Sequence, residues 1–244
     1  ILLTCVFSIM RTIQNSILLL LFFSFSVFAQ ENDFQTWHSI SSSFDFTIIQ
    51  VPDQLNTKSK RKGSITFKQG YRFRENSSLL SKQFSDFKFK LRLNKKISFA
   101  LGYRYSTDWS IPLESKALLF YPYVYNKHRY YSDMVIRKKL KKRFIVYLRS
   151  RYLYQGNSFE YNSIVREKLG ISYNIRKTKL KPELSVEYFY KWNDSIQKIR
   201  YTLIMSHPIA KNLTFDLAYR IQQEFYVNNP QTLFIFEGKL AYNL

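Results

Sequence analysis

The chain predicts an all-β protein, an antiparallel transmembrane β-barrel of ten to twelve strands with twelve favoured, and three observations carry that expectation. From Lys62 onward apolar and polar residues alternate with period two, the pattern of strands with one apolar face and not of a helix. The alternating stretches run about 11–15 residues, longer than the usual 5–6 of globular strands and long enough for a tilted strand to cross a bilayer. Their connections alternate between short basic turns and longer polar links, as in barrels with tight turns at one rim and loops at the other.

The first 29 residues are set apart as upstream sequence plus a secretory signal peptide, leaving 30–244 as the barrel domain. Met10 and Arg11 supply a start and a positive charge, 17–28 an apolar core, and Ala29 a small residue before Gln30. Residues 1–9 are expected to be upstream coding sequence. The alternative is an N-terminal anchor, but with Ser24 and Ser26 as interruptions the core falls short of the about 20 residues of a spanning helix. The single cysteine, Cys5, precedes the barrel domain, so neither a disulfide framework nor a Cys-based metal site or nucleophile is expected there.

The alternation places strands near 34–46, 62–75, 80–93, 96–106, 128–140, 143–155, 161–175, 179–192, 197–208, 212–226 and 232–244. Ile97, Phe99, Leu101, Tyr103 and Tyr105 oppose Ser98, Ala100, Gly102 and Arg104; Leu184, Val186, Tyr188 and Tyr190 oppose Glu183, Ser185, Glu187 and Phe189; Leu213, Phe215, Leu217, Tyr219 and Ile221 oppose Thr214, Asp216, Ala218, Arg220 and Gln222. Short basic turns are expected at 94–96, 141–143, 176–178 and 210–212, and longer links at 75–81, 106–127, 155–161, 193–197 and 227–231. The longest, 106–127, is a candidate to fold inward or cap the mouth. About eleven strands result, whereas bacterial single-chain barrels have even numbers, so 33–51 is expected to hold two short strands or one strand to lie outside the wall. The final strand, with Phe234, Phe236, Gly238, Leu240, Tyr242 and Leu244 on one face, has the form that barrel assembly factors recognise.

Three segments carry a family resemblance: Asp33 to Trp37, Gly70 to Ser78, and Gly102 to Tyr105. In that order they resemble the domain of unknown function 2490, exported proteins of Gram-negative bacteria, over essentially the whole of 30–244. The resemblance implies an outer-membrane β-barrel and no catalytic residues. The 50–61 segment is longer than the turn expected between the first two strands.

Lys and Arg number 38 against 17 Asp and Glu, a formal net charge of +21. Such a balance suits nucleic acid, anionic lipid or an anionic solute, and export argues against nucleic acid. An aromatic–arginine step recurs at Tyr71-Arg72, Tyr103-Arg104, Arg151-Tyr152 and Tyr219-Arg220. Alternation sends Tyr71, Tyr103, Tyr105, Tyr152, Tyr188, Tyr190 and Trp192 outward as a membrane-interface girdle. It sends Arg72, Arg104, Arg151 and Arg220 inward at similar depth. There they form either an anion-selective basic ring or a filled lumen, paired with Asp86, Glu183, Glu187 and Asp216.

His38, His128 and His207 lack metal-ligand spacing, and no glycine-rich phosphate loop occurs, so no metal site and no cofactor is expected. His128 with Ser132 and Asp133 is the one crude hydrolase candidate, weakened because neighbours on a strand face opposite ways. The basic turns, with Lys95, Lys96, Lys141, Lys142, Arg143, Lys177, Lys179 and Lys211, are either solvated hairpin ends or contacts to anionic head groups. The expected protein is a non-enzymatic outer-membrane barrel of a Gram-negative bacterium with a basic polar lumen, acting as a narrow channel or binding barrel for an anionic solute. Its expected partners are outer-membrane lipid, the barrel assembly machinery and that solute. The alternatives are a non-conducting structural or interaction barrel, an interfacial hydrolase and, for the fold, a soluble lipocalin-like barrel with the facing reversed.

Overall fold

The computed structural model describes residues 31–51, 59–110, 123–140, 143–156, 161–192, 195–226 and 230–244. The expected signal peptide, Cys5, Lys141, Lys142 and most of the 106–127 link lie outside these residues. Eleven strands follow one another: β1 (Glu31–Val51), β2 (Ser59–Arg74), β3 (Leu79–Arg92), β4 (Ile97–Ser110), β5 (Tyr123–Leu140), β6 (Phe144–Gly156), β7 (Tyr161–Tyr173), β8 (Lys181–Lys191), β9 (Ile196–Pro208), β10 (Leu213–Glu224) and β11 (Gln231–Asn243). Each pairs with its sequence neighbours, and β11 closes on β1 to complete a barrel. No helix among the described residues is long and apolar enough to cross a membrane.

The favoured number of twelve strands is corrected to eleven, and the all-antiparallel wall to a mixed one. Residues 33–51 hold no pair of short strands: β1 is one strand of 21 residues. Ten antiparallel steps bring β11 back to the direction of β1, so an odd wall must close through one parallel pair. That pair runs from Glu31↔Gln231 to Ser43↔Asn243. For the same reason Glu31 begins at the loop rim and the chain ends at the short-turn rim. Two links also differ from expectation. β1 and β2 grow into 50–61, leaving 52–58 outside the described residues. The supposed 75–81 link is a tight turn in which Glu75, Asn76 and Ser77 adopt φ of 52°, 55° and 66°. Its tip is tied to β1, with Asn76 N–H donating to Asp33 Oδ1 at 3.0 Å and the Ser77 hydroxyl to the Phe34 carbonyl at 3.4 Å.

Residue pairs followed once around the wall from Thr47 lead back to Asp33, a stagger of 14 positions over the eleven strands. With about 3.3 Å per residue and about 4.8 Å between strands, this tilts the strands by about 41° and gives a backbone radius of about 11 Å. Arginines from facing walls therefore meet near the axis, and side chains can fill such a lumen.

The outward face is a belt of exposed apolar residues, among them Ile40, Phe67, Leu101, Leu148, Leu184, Leu203 and Leu217. On β6 it extends from Phe144, against Tyr173 at 4.7 Å, to Tyr154, against Tyr161 at 4.8 Å. Ten residue steps at that tilt span about 25 Å along the axis. Two polar pairs interrupt it, Ser150 donating to Glu167 at 2.8 Å and Ser85 to Gln69 at 2.5 Å. The short-turn rim is closed by devices such as Asn94, whose Oδ1 accepts from the N–H groups of Lys96 and Ile97 at 2.8 and 2.7 Å.

Candidate functional site: a charged, aromatic-lined lumen

Tyr71, Tyr105, Tyr152, Tyr188, Tyr190 and Trp192 are exposed on the outside, on the loop side of the belt. Tyr103 shares their face; its hydroxyl meets His128 Nδ1 at 2.9 Å and its ring packs on Tyr130. Arg72, Arg104, Arg151 and Arg220 face the lumen, and three of them hold carboxylates. Arg104 Nε donates to Asp86 Oδ2 at 2.7 Å, Arg151 Nη2 to Asp133 Oδ2 at 2.6 Å, and Arg220 pairs with Glu237. Of the acids expected as partners, Asp86 is used by this set. Asp216 instead accepts from Lys239 at 3.1 Å and Glu183 from Lys168 at 3.2 Å.

Glu187 is the hub of a second set. It accepts from Arg149 and Arg166 at 2.6 and 2.8 Å, and Arg200 approaches at 3.5 Å. Arg200 also donates to Gln222 Oε1 from Nε at 3.0 Å.

Arg72 departs from the pattern. Its guanidinium lies 3.8 Å from the centre of the Trp37 ring and 5.4 Å from that of Phe84, with no carboxylate within ion-pair distance among the described residues. Four buried aromatics, Trp37, Phe84, Tyr131 and Phe189, project inward between the cations. Arg104 stacks on Phe84 at 4.2 Å, Arg151 on Tyr131 at 4.2 Å, and Arg166 on Phe189 at 4.3 Å. Together these rings and guanidiniums form a septum that narrows the lumen. A guanidinium suits this role, because it stacks on a ring while its edge donates hydrogen bonds.

Glycines make room for the rings. A side chain at Gly70 would strike the Phe84 ring, and one at Gly102 the Tyr131 ring. Tyr131, folded over Gly102, donates to Asp86 Oδ1 at 2.8 Å. Glu187 is an acid the sequence places among the arginine partners, though it takes Arg149, Arg166 and Arg200 in place of the four expected arginines; the inward aromatics are not singled out as site residues from sequence. The signal was present in strand parity, since Trp37 shares the face of Ser39 and Ser41, Phe84 that of Asp86, and Phe189 that of Glu187.

Space remains beside the septum. A cavity of about 820 Å³ runs from Gln35 and Lys127 on the loop side to Ala241 and Asn243 on the short-turn side, past the small side chains of Ser39, Ser41 and Ser43. Among the described residues, fifteen Lys and Arg and four carboxylates line it. A smaller cavity of about 330 Å³ lies toward the short turns, with Lys88, Lys90 and Arg137 beside Asp133 and Glu183.

The three hydrolase candidates do not converge. His128 is held outside by Tyr103, Ser132 shares that outward face, and Asp133 points inward onto Arg151. No group of three or more His, Cys, Asp or Glu suited to a metal ion occurs among the described residues.

The model of the family described as "Protein of unknown function (DUF2490)" matches residues 34–232. No curated protein and no solved structure matches the chain.

Proposed function

We propose, for a chain that belongs to the DUF2490 family and takes no assigned activity from it, that this is a non-enzymatic outer-membrane barrel binding a small anionic solute in its lumen. The observation that carries the reading is that, among the described residues, fifteen Lys and Arg line a cavity of about 820 Å³ against eight carboxylates, four in its lining and Asp108, Asp133, Glu183 and Asp216 paired with lining cations. That volume falls within the about 300–1,000 Å³ of small-molecule sites and is unlike a wide aqueous channel. The membrane part of the reading is supported by the outward belt. Its height of about 25 Å and its tyrosines on the loop side match the apolar band and aromatic girdle of outer-membrane barrels. Outer-membrane lipid and the barrel assembly machinery are the partners that follow.

The septum favours a second reading, a non-conducting structural barrel whose internal charges serve stability alone. The two readings differ in a thermal shift. The protein is refolded into lipid vesicles, its folded state verified by mobility that changes on boiling, and melted in phosphate, sulfate or chloride at one ionic strength. A solute-binding lumen raises the midpoint by a saturable increment at low millimolar phosphate or sulfate, where general salting-out by these ions is negligible, because a ligand of the folded state stabilises it by RT ln(1 + [L]/Kd). Equal midpoints in all three salts would sink the anion reading in favour of the structural one.

A further inference from the structure

The cations of the lumen are not equally neutralised. Below and beside the septum, Arg104, Arg151, Arg220 and the three arginines on Glu187 have carboxylates. On the loop side, Arg72 and Arg129 have none within ion-pair distance among the described residues. Each keeps a buried Nε–H without an acceptor; Arg149, Arg166 and Arg220 do so too, but those three also hold a carboxylate. Both line the large cavity, as does Lys82. Lys82 is the cross-strand partner of Arg72, and Arg129 projects inward from β5 opposite Arg104, into the same cavity. The nearby acid, Asp108, is shared between Lys82 at 2.8 Å and Lys127 at 3.5 Å. Asp108 is thus already engaged by two cations, and neither Arg72 nor Arg129 is ion-paired to it.

We infer that Arg72, Lys82 and Arg129 form a binding site for a multiply charged oxyanion of the phosphate or sulfate type. An unpaired buried N–H is costly, and a charge-assisted bond to an oxyanion is among the stronger ways to satisfy it. Guanidiniums present planar donor edges to such oxygens, whereas a halide offers one centre and no matching geometry. The Arg72 guanidinium packs over the Trp37 ring at 3.8 Å, with the Phe84 ring 5.4 Å away. The ring contacts preorganise the donor before any ligand arrives.

The site rests on the anion-binding reading above and narrows it to one end of the lumen. The test is calorimetric titration of the full barrel in lipid vesicles with inorganic phosphate and with sulfate, against chloride at equal ionic strength. Saturable binding of the two oxyanions, weakened at least tenfold in Arg72→Gln and in Arg129→Gln, is the expected result. Lys95→Gln, an exposed short-turn change outside the lining of either cavity, leaves binding within twofold. All variants must first show the wild-type mobility change on boiling. If Lys90→Gln or Arg137→Gln weakens binding and the loop-side variants do not, the anion sits in the short-turn chamber; this assignment then fails while the broader reading survives. Absence of saturable binding by either oxyanion overturns both.

Discussion

Replacing Glu187 by Gln removes one charge and almost no volume from the most heavily used carboxylate in the lumen. Its side chain is 4% exposed, and it accepts from Arg149 and Arg166 at 2.6 and 2.8 Å while Arg200 stands at 3.5 Å. Breaking a buried ion pair on one side costs about 3–5 kcal/mol, because the remaining charge stays buried without compensation. Two corrections pull the figure down. Arg149 is 23% exposed and recovers part of its hydration. The amide introduced by Glu187→Gln keeps one carbonyl oxygen able to accept from Arg166. The expected loss is therefore about 3 kcal/mol, the lower end of that range and more than a hundredfold in the unfolding equilibrium. Urea unfolding of the barrel in lipid vesicles, followed by loss of its strand signal, measures it. Glu75→Gln is the control: the Glu75 side chain is 56% exposed and 3.7 Å from Arg74, so its change stays within about 0.5 kcal/mol. Adding Arg166→Gln to Glu187→Gln restores part of the loss, since the second change removes a charge that the first orphaned. A Glu187→Gln effect below about 1 kcal/mol, or no recovery in the double variant, would refute the idea that this carboxylate holds the arginine cluster.

Two further substitutions test the wall. Gly102→Ala drives a methyl into the Tyr131 ring and off its bond to Asp86, so the same unfolding assay loses about 2–4 kcal/mol. Gly238→Ala, whose added atom would meet nothing nearer than 3.8 Å, changes little. Leu101→Arg puts a charge in the middle of the outward belt, at a residue 53% exposed, and lowers stability in lipid vesicles by about 2–4 kcal/mol. A change within about 0.5 kcal/mol would mean that this face meets water.

Most of the wall was legible because alternation is a local property. The facing of β4, β8 and β10 follows from residues such as Leu101, Leu184 and Leu217, each two positions from the next apolar one. Closure was not legible, because which strand meets which across the seam is set between the two ends of the barrel domain and leaves no local trace. Eleven alternating segments could be counted. The preference for an even wall then displaced that count toward twelve, when β1 in fact runs unbroken through 33–51. The ion pairs were hidden for the same reason. Arg220 takes Glu237 on the neighbouring strand rather than Asp216 on its own, since cross-strand stagger moves partners along the axis.

That stagger also explains why the lumen is lopsided. A pairing row climbs toward the loop rim as it passes from β1 through β2 to β11, so residues far apart along the chain share one level. At the septum, Trp37 from β1 meets the guanidiniums of Arg72, Arg200 and Arg220 from β2, β9 and β10. Large side chains on β6 to β9 crowd one side of the axis. Ser39, Ser41 and Ser43 on β1 add small side chains to the lining of a cavity that every strand of the wall borders. Had β1 carried larger inward residues, the same cations would fill the lumen completely and their charges would have no ligand-sized space to act on. The proposed anion site thus combines two features: cations in excess of carboxylates, and small inward residues on β1 that leave room beside them.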